Sequence, residues 1–474
     1  MKTNQAEIEE QSREGQGSSA SPANANGQAL SGGRQAVLEK IKMNAAGLDL
    51  GSEELYVAIL DQPVRKFNTF TSGIRSALEY IKSAGSDSVA METTGIYWWP
   101  VYEIFESGGL EVYVVNACHA KNVPGRKTDV LDSEWLRELH TYGLVRSSFI
   151  PDGDIRKLRV YMRSRADHLQ MAAAHIQHMQ KHLDAMNIKL HNVLSNITGV
   201  SGLAILRAIL SGERDTGTLA GLCQERIDPK KLPEVQLSLE GNYKREHLFG
   251  LQQALELWEF YQSRIMACDR EIEQLLQSLV QNKPKPETVK APKSISNPNR
   301  LNIKGIHSML VTFTDGRDAS QLPGFNDYSL ARVISETGID MGPWATEKNF
   351  TSWLNLAPFN NTSGKKKRGT KKRKIQNRAG QMFREMARSV GNSKYQALGA
   401  FYRRIKSRHG AKAANKATAR KIAVLYYRLM KYGFEYVEQG LEEYEKKYKE
   451  NMLKSLIRKA RQLGMELVPA PAAA

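Results

Sequence analysis

The spacing of apolar residues changes character along the chain, and the changes divide it. From Ala46, "AAGLDLGSEELYVAILD" alternates apolar and polar positions as two strands joined by a polar turn would, and "KFNTF" supplies a third strand. "SGIRSALEYIKSAG" has the helical period, with Ser72 as N-cap and Gly85 as the stop. "SVAMET" then reads as a strand, "YWWPVYEIFESGG" as a helix, "LEVYVVNA" as a strand and "LDSEWLRELHTYG" as a helix. Three strands that pair before the helical crossovers begin predict a mixed sheet rather than a doubly wound one. Residues 45–150 are therefore expected to form an α/β domain of RNase H-like topology.

The period lengthens to seven in the next block. Leu169, Ile176, Leu183 and Leu190 recur with Ala172, Met179, Met186 and Val193 as companions, an a/d seam over four heptads. A second seam runs through Leu251, Trp258, Ile265, Ile272 and Leu279, with Ala254, Tyr261, Cys268 and Leu275 beside it. Residues 154–280 thus read as a coiled-coil helical region, either an αα-hairpin or a dimerising coiled coil. The stretch 281–300 contains four prolines and reads as a linker. A compact, mainly helical domain is expected over 301–440, then a charged helix and tail over 441–474. Residues 1–36, rich in Gly, Ser, Ala, Asn and Gln, read as a disordered tail. The fold class expected is α/β plus α.

Charge sharpens this outline. The net charge of the 474 residues is +18, yet Asn361 to Met430 alone holds 21 Lys and Arg against one acid, Glu385. That segment carries +20, so the remainder is close to neutral. Such one-sided placement points to a polyanion-binding surface. Its candidate contacts are Lys365, Lys366, Lys367, Arg368, Lys371, Lys372, Arg373, Lys374, Arg378, Arg403 and Arg404. No apolar run approaches the roughly 20 residues of a membrane helix, and no secretory signal is evident. Cys118, Cys223 and Cys268 form no CxxC pair, which suits reduced thiols in a cytoplasmic protein and disfavours a structural zinc site.

Two sets of residues could carry chemistry. Asp49 lies in the first strand, Glu92 ends "SVAMET", and Asp129 and Asp132 stand three apart at a helix start. On the expected topology these four carboxylates converge, and clustered hard oxygen donors without His or Cys favour Mg²⁺ or Mn²⁺. Two such ions can activate a nucleophile and steady a leaving oxygen in phosphodiester chemistry. The other candidate is Ser363 in "NTSGKKKR", a hydroxyl that needs a base, a metal or a strong positive field to become nucleophilic. The residues alone favour a loop role for Ser363 over a catalytic one. His168, His175, His178 and His182 read as flanking positions of the heptad helix, because an i, i+7 spacing is too long for one ion.

Several longer motifs carry a resemblance. "GLDLGSEELYVAILD", "METTGIYWWPVYE", "NACHAKNVPGRKTDVLDSEWLREL", "EKNFTSWLNLAPFNNTSGKK" and "LGAFYRRIKSRHGAKAANKATARKIAVLYY" occur in an order similar to that of the bacterial IS110-type transposases. The resemblance covers about residues 45 to 440. It implies a RuvC-like domain whose DEDD set falls on Asp49, Glu92, Asp129 and Asp132, and a C-terminal domain whose catalytic serine falls on Ser363. It further implies a covalent phosphoserine–DNA intermediate assisted by Mg²⁺ (or Mn²⁺), with donor and target DNA as substrates. A structured noncoding guide RNA and a homo-oligomer, dimer or tetramer, are the implied partners. One departure is Lys365, where many relatives carry a second glycine. Two other functions suit the same residues: a metal-dependent nuclease or junction resolvase that uses activated water, and a non-catalytic nucleic-acid-binding scaffold.

Overall fold

The computed structural model describes residues 39–93, 95–116, 129–223, 228–286, 299–358, 361–363, 366–368, 377–393, 397–433 and 435–467. Its chain divides into two compact units, 1–148 and 149–474.

In the first unit, β1 (Ala45–Leu50), β2 (Glu54–Ile59), β3 (Arg65–Asn68), β4 (Ser88–Glu92) and β5 (Glu111–Val115) form one sheet of order β3-β2-β1-β4-β5. The first three strands pair antiparallel, while β1–β4 and β4–β5 are parallel. This is the RNase H-like mixed sheet that the strand order predicts. Helices α1 (Thr71–Ser83), α2 (Trp98–Ser107) and α3 (Asp129–Thr141) complete it. The first helix starts two residues earlier than its Ser72 signal suggests: its N-cap is Phe70, whose amide donates to Asn68 Oδ1 (3.1 Å). Its stop is as expected, with Gly85 at φ 76° just beyond the C-cap.

Helix α3 lies across β1 at Gly47. A Cβ there would overlap the Ser133 carbonyl and the Arg137 amide, so only glycine lets helix and strand approach this closely. At the far end of the helix, buried His140 bonds Ser88 at the start of β4 (Nε2···Oγ 3.1 Å). Burial pushes the His140 imidazole down to about 4, so it is neutral here. These two contacts fix the direction of α3: its first turn points to the carboxyl ends of β1 and β4.

The second unit is helical. Its first long helix, α4 (Gly153–Ala185), ends one heptad before the seam does. Asn187 takes a positive φ of 59°, and Leu190 and Val193 belong to a separate turn, Leu190–Val193. After α5 (Val200–Leu210) and α6 (Leu232–Ser238), α7 (Arg245–Val280) returns antiparallel to α4. Arg165 meets Asp269, His175 stacks on Tyr261, and His182 lies against Gly250 and His247, a steady antiparallel register. The heptads therefore make an αα-hairpin within one chain. Its tip has a small core of its own, built from Leu183, Ile188, Leu206, Leu239 and Leu251 among others.

Beyond the hairpin come α8 (Ile306–Phe313), α9 (Asp327–Thr337), α10 (Glu347–Trp353), α11 (Arg378–Asn392), α12 (Ala397–Tyr432) and α13 (Glu435–Gln462). Their core, with Phe350, Phe383 and Tyr426, continues into the hairpin base through Leu158, Met162, Ile272 and Leu276. A buried ion pair anchors this junction. Arg165 Nε donates to Asp269 Oδ1 (2.6 Å), while its Nη atoms donate to the carbonyls of Asn299 (3.0 Å) and Arg300 (2.8 Å). The second Asp269 oxygen accepts from the Asn302 amide (3.1 Å). Nearby, Arg163 forks onto Glu336 with two 2.8 Å bonds, tying α4 to α9.

A buried pair stripped of one partner leaves an uncompensated charge. Arg165→Met is expected to destabilise the second unit by about 3–5 kcal/mol in urea unfolding of the whole chain. The Arg165→Met/Asp269→Leu double variant should recover most of that loss; equal damage in both would show that the carbonyl contacts, not the charge, matter.

Candidate active site and basic surface

The carboxylates come first, because the fold explains their convergence. The β1–β4 register pairs Leu48 with Met91, so Asp49 and Glu92 follow as neighbours at the carboxyl ends of two adjacent parallel strands. Strand alternation puts Asp49 on the same face as Gly47, the face that α3 covers. Asp129 and Asp132 occupy the first turn of α3, directed to that same end. The positive end of a helix favours acidic groups there.

Asp49 registers the crowding. Its carboxyl is pushed up to about 6, first by burial and then by the negative charges of Asp129, Asp132 and Glu92. Among the described residues, no three His, Cys, Asp or Glu side chains stand in a geometry that would hold a metal ion. The four acids thus approach one another without closing on a single point. Their chemistry nevertheless fits a hard divalent cation: all-oxygen donors, held together against their own repulsion.

Ser363 sits elsewhere, in a two-stranded ribbon. Strand β6 (Asn361–Ser363) pairs antiparallel with β7 (Lys366–Arg368), and Ser363 is directly opposite Lys366. The register also pairs Asn361 with Arg368. The surrounding excursion has pinned ends. Asn377 Nδ2 donates to the Trp353 carbonyl (3.1 Å), Asn377 caps α11 through the Gly380 amide (2.8 Å), and Gly380 packs on the Leu354 carbonyl, where a Cβ would not fit.

The other basic candidates separate by environment. Lys365, Lys371, Lys372, Arg373 and Lys374 lie outside the described residues, as do the 1–36 tail, Cys118 and most of the 281–300 stretch. Arg378 is exposed at the start of α11. Arg403 is engaged structurally: its Nη1 donates to the Ser393 carbonyl (2.6 Å) beyond α11. Arg404 stays exposed, 5.7 Å from the centre of the Phe401 ring. The histidines line the edge of the hairpin, where His168 and His175 flank Tyr261. The stretch "YWWP" marks a helix start in the sequence. The structure exposes Ile96 (77%) and Tyr97 (45%) there, four and five residues after Glu92. Two large apolar residues ahead of a helix, where a polar N-cap would be ordinary, were the available signal.

The Asp49 shift has a direct consequence for pH. Between its ordinary 3.8 and the folded value of about 6, the folded chain holds a proton that the unfolded chain has released. This group's contribution to stability is therefore greatest below pH 4 and falls as pH rises to 6, by on the order of 3 kcal/mol. In chelator, Asp49→Asn should leave stability nearly unchanged at pH 4 and raise it at pH 7. Equal unfolding midpoints for variant and parent at pH 7 would contradict the repulsion.

Comparison with known families agrees with this architecture. A family model for the DEDD transposase domain of IS110 matches residues 46–188, which include all four carboxylates. A second, described as transposase of the IS116/IS110/IS902 family, matches residues 317–403, which include Ser363. No curated protein matches the chain. With both domain models in order, one on the mixed sheet and the other on the helical region that carries the serine ribbon, the chain belongs to the IS110 family of transposases.

Proposed function

We propose that this transposase exchanges DNA strands through a covalent intermediate on Ser363. The observation that carries the proposal is the ribbon register, which pairs Ser363 with Lys366 within a strongly basic segment. Adjacent positive charge lowers the cost of forming an alkoxide and attracts the phosphodiester. In the attack, the serine Oγ forms a bond to phosphorus and one bridging P–O bond breaks. The proton lost by the serine is balanced by the one gained by the departing DNA hydroxyl. A hydroxyl from another strand reverses the step, so the number of phosphodiester bonds is conserved and no external energy source is needed.

Asp49, Glu92, Asp129 and Asp132 are the residues that would hold Mg²⁺ or Mn²⁺. Bound there, a divalent ion supplies Lewis-acid stabilisation for charge building on the phosphoryl oxygens. The acids themselves orient that charge-stabilising site at the strand ends, with Asp49 required in its ionised form. Substrates in this reading are donor and target DNA, selected by a structured noncoding RNA within an oligomer of the chain. The basic segment grips phosphates of either nucleic acid.

The carboxylate cluster by itself would also suit a metal-dependent nuclease using water, and one substitution separates the readings. Ser363→Ala should abolish protein–DNA adducts, seen as slower-migrating labelled DNA after denaturation, together with recombination. Persistent adducts would rule out this serine, whereas cleavage that survives without adducts would favour the nuclease. In parallel, affinity for duplex DNA should fall at least 10-fold between 50 and 200 mM salt, given several phosphate contacts. A flat response would count against phosphate binding by the basic segment.

A further inference from the structure

The second unit contains a cavity beside its longest helix. It has a volume of about 670 Å³, in the range of small-molecule sites. A break in α12 creates it. Gly410 has φ 80° and ψ 167°, a left-handed-side conformation that favours glycine, and it splits the helix into two limbs. Twenty residues of unbroken helix would separate Phe401 from Lys421 by about 30 Å. Instead, the Lys421 ammonium lies 4.6 Å from the centre of the Phe401 ring. The limbs fold back on each other, and the cavity opens between them.

Its lining has two chemistries. Leu398, Phe401, Ala417, Val424 and Leu425 make an apolar floor, and Lys416, Arg420 and Lys421 stand among them as cations. Among the described residues, no acid lines the cavity. Arg428, at one edge, is held bidentately by Glu347 (2.6 and 3.0 Å) and is neutralised there. Lys421 stands beside the Phe401 ring. Burial and the neighbouring Arg404 both depress its affinity for a proton, so an arriving anion would relieve two costs together. A flat apolar floor beside desolvated positive charge calls for a ligand with a flat apolar body and an attached anion.

We infer that this cavity receives one unpaired nucleotide of the DNA substrate, its base on the Phe401 floor and its phosphate at Lys421 and Arg420. DNA is favoured as the source because the cavity lies within the most basic part of the chain and because the chain is a DNA transposase. An enzyme that parts and rejoins strands must hold bases that have lost their partners, and an apolar pocket offsets the cost of unstacking. The inference rests on the DNA-acting reading but not on which group is the nucleophile.

The test measures binding by the full chain carrying Ser363→Ala, so that covalent chemistry cannot intervene. Probes are a fluorescein-labelled DNA duplex with a single-nucleotide 2-aminopurine bulge, the same duplex fully paired, and the matching bulged RNA duplex. The bulged DNA should bind about tenfold more tightly than the paired DNA, from the value of one base–aromatic contact. Its 2-aminopurine emission should also change on binding. Phe401→Ala and Arg420→Ala should each remove that preference and the emission change, while leaving affinity for the paired duplex within about twofold. Equal affinity for bulged and paired DNA, a preference that survives both substitutions, or tighter binding of bulged RNA than of bulged DNA would each overturn the inference. Ser363 remains open to its own adduct test, so the two ideas fail separately.

Discussion

The contact of α3 with β1 at Gly47 governs the first unit. A side chain at that position would lift the helix from the sheet, because the Ser133 carbonyl and Arg137 amide already fill the space. With the helix seated, its first turn arrives at the carboxyl ends of β1 and β4. Asp129 and Asp132 then join Asp49 and Glu92 at one place, and Asp49 shows the repulsion that follows. The missing methyl of one glycine thus supports an arrangement of four acids that would otherwise disperse.

In the second unit the corresponding problem is how to present a basic segment from a firm base. The Arg165–Asp269 pair is fully satisfied by the carbonyls of Asn299 and Arg300 and the amide of Asn302, so it closes the hairpin base without leaving a buried orphan. The serine ribbon departs from Leu354 and returns at Asn377, where a side-chain bond and a glycine contact hold the two ends together. Closing such an excursion costs chain entropy only once, when the surrounding helices form. Phe350, Phe383 and Tyr426 build the core of this unit.

Much of this was readable along the chain because it is local or periodic. Alternation marked β1 and β2, and the antiparallel-then-parallel order followed from three consecutive strands. The heptads located both long helices, although α4 stops at Ala185 because Asn187 turns left-handed, an event that apolar spacing does not encode. Ser72 looked like a cap because its type is common at caps; the observed N-cap, Phe70, makes no side-chain bond, and its amide is satisfied by Asn68. Arg403 is a candidate phosphate ligand by charge, and its exposed side chain also donates through Nη1 to the Ser393 carbonyl, a contact that charge does not reveal.

The sequence by itself determined the element types and the placement of positive charge, since each depends on neighbouring residues or on a fixed repeat, and it offered the four acids and the serine as candidates. Tertiary structure alone decided that the heptads fold on each other, that Gly47 admits α3, and that Gly410 breaks α12 into the walls of a cavity. Those outcomes turn on which atoms approach across dozens or hundreds of residues, and on whether a Cβ would stand in the way. No local pattern records either quantity.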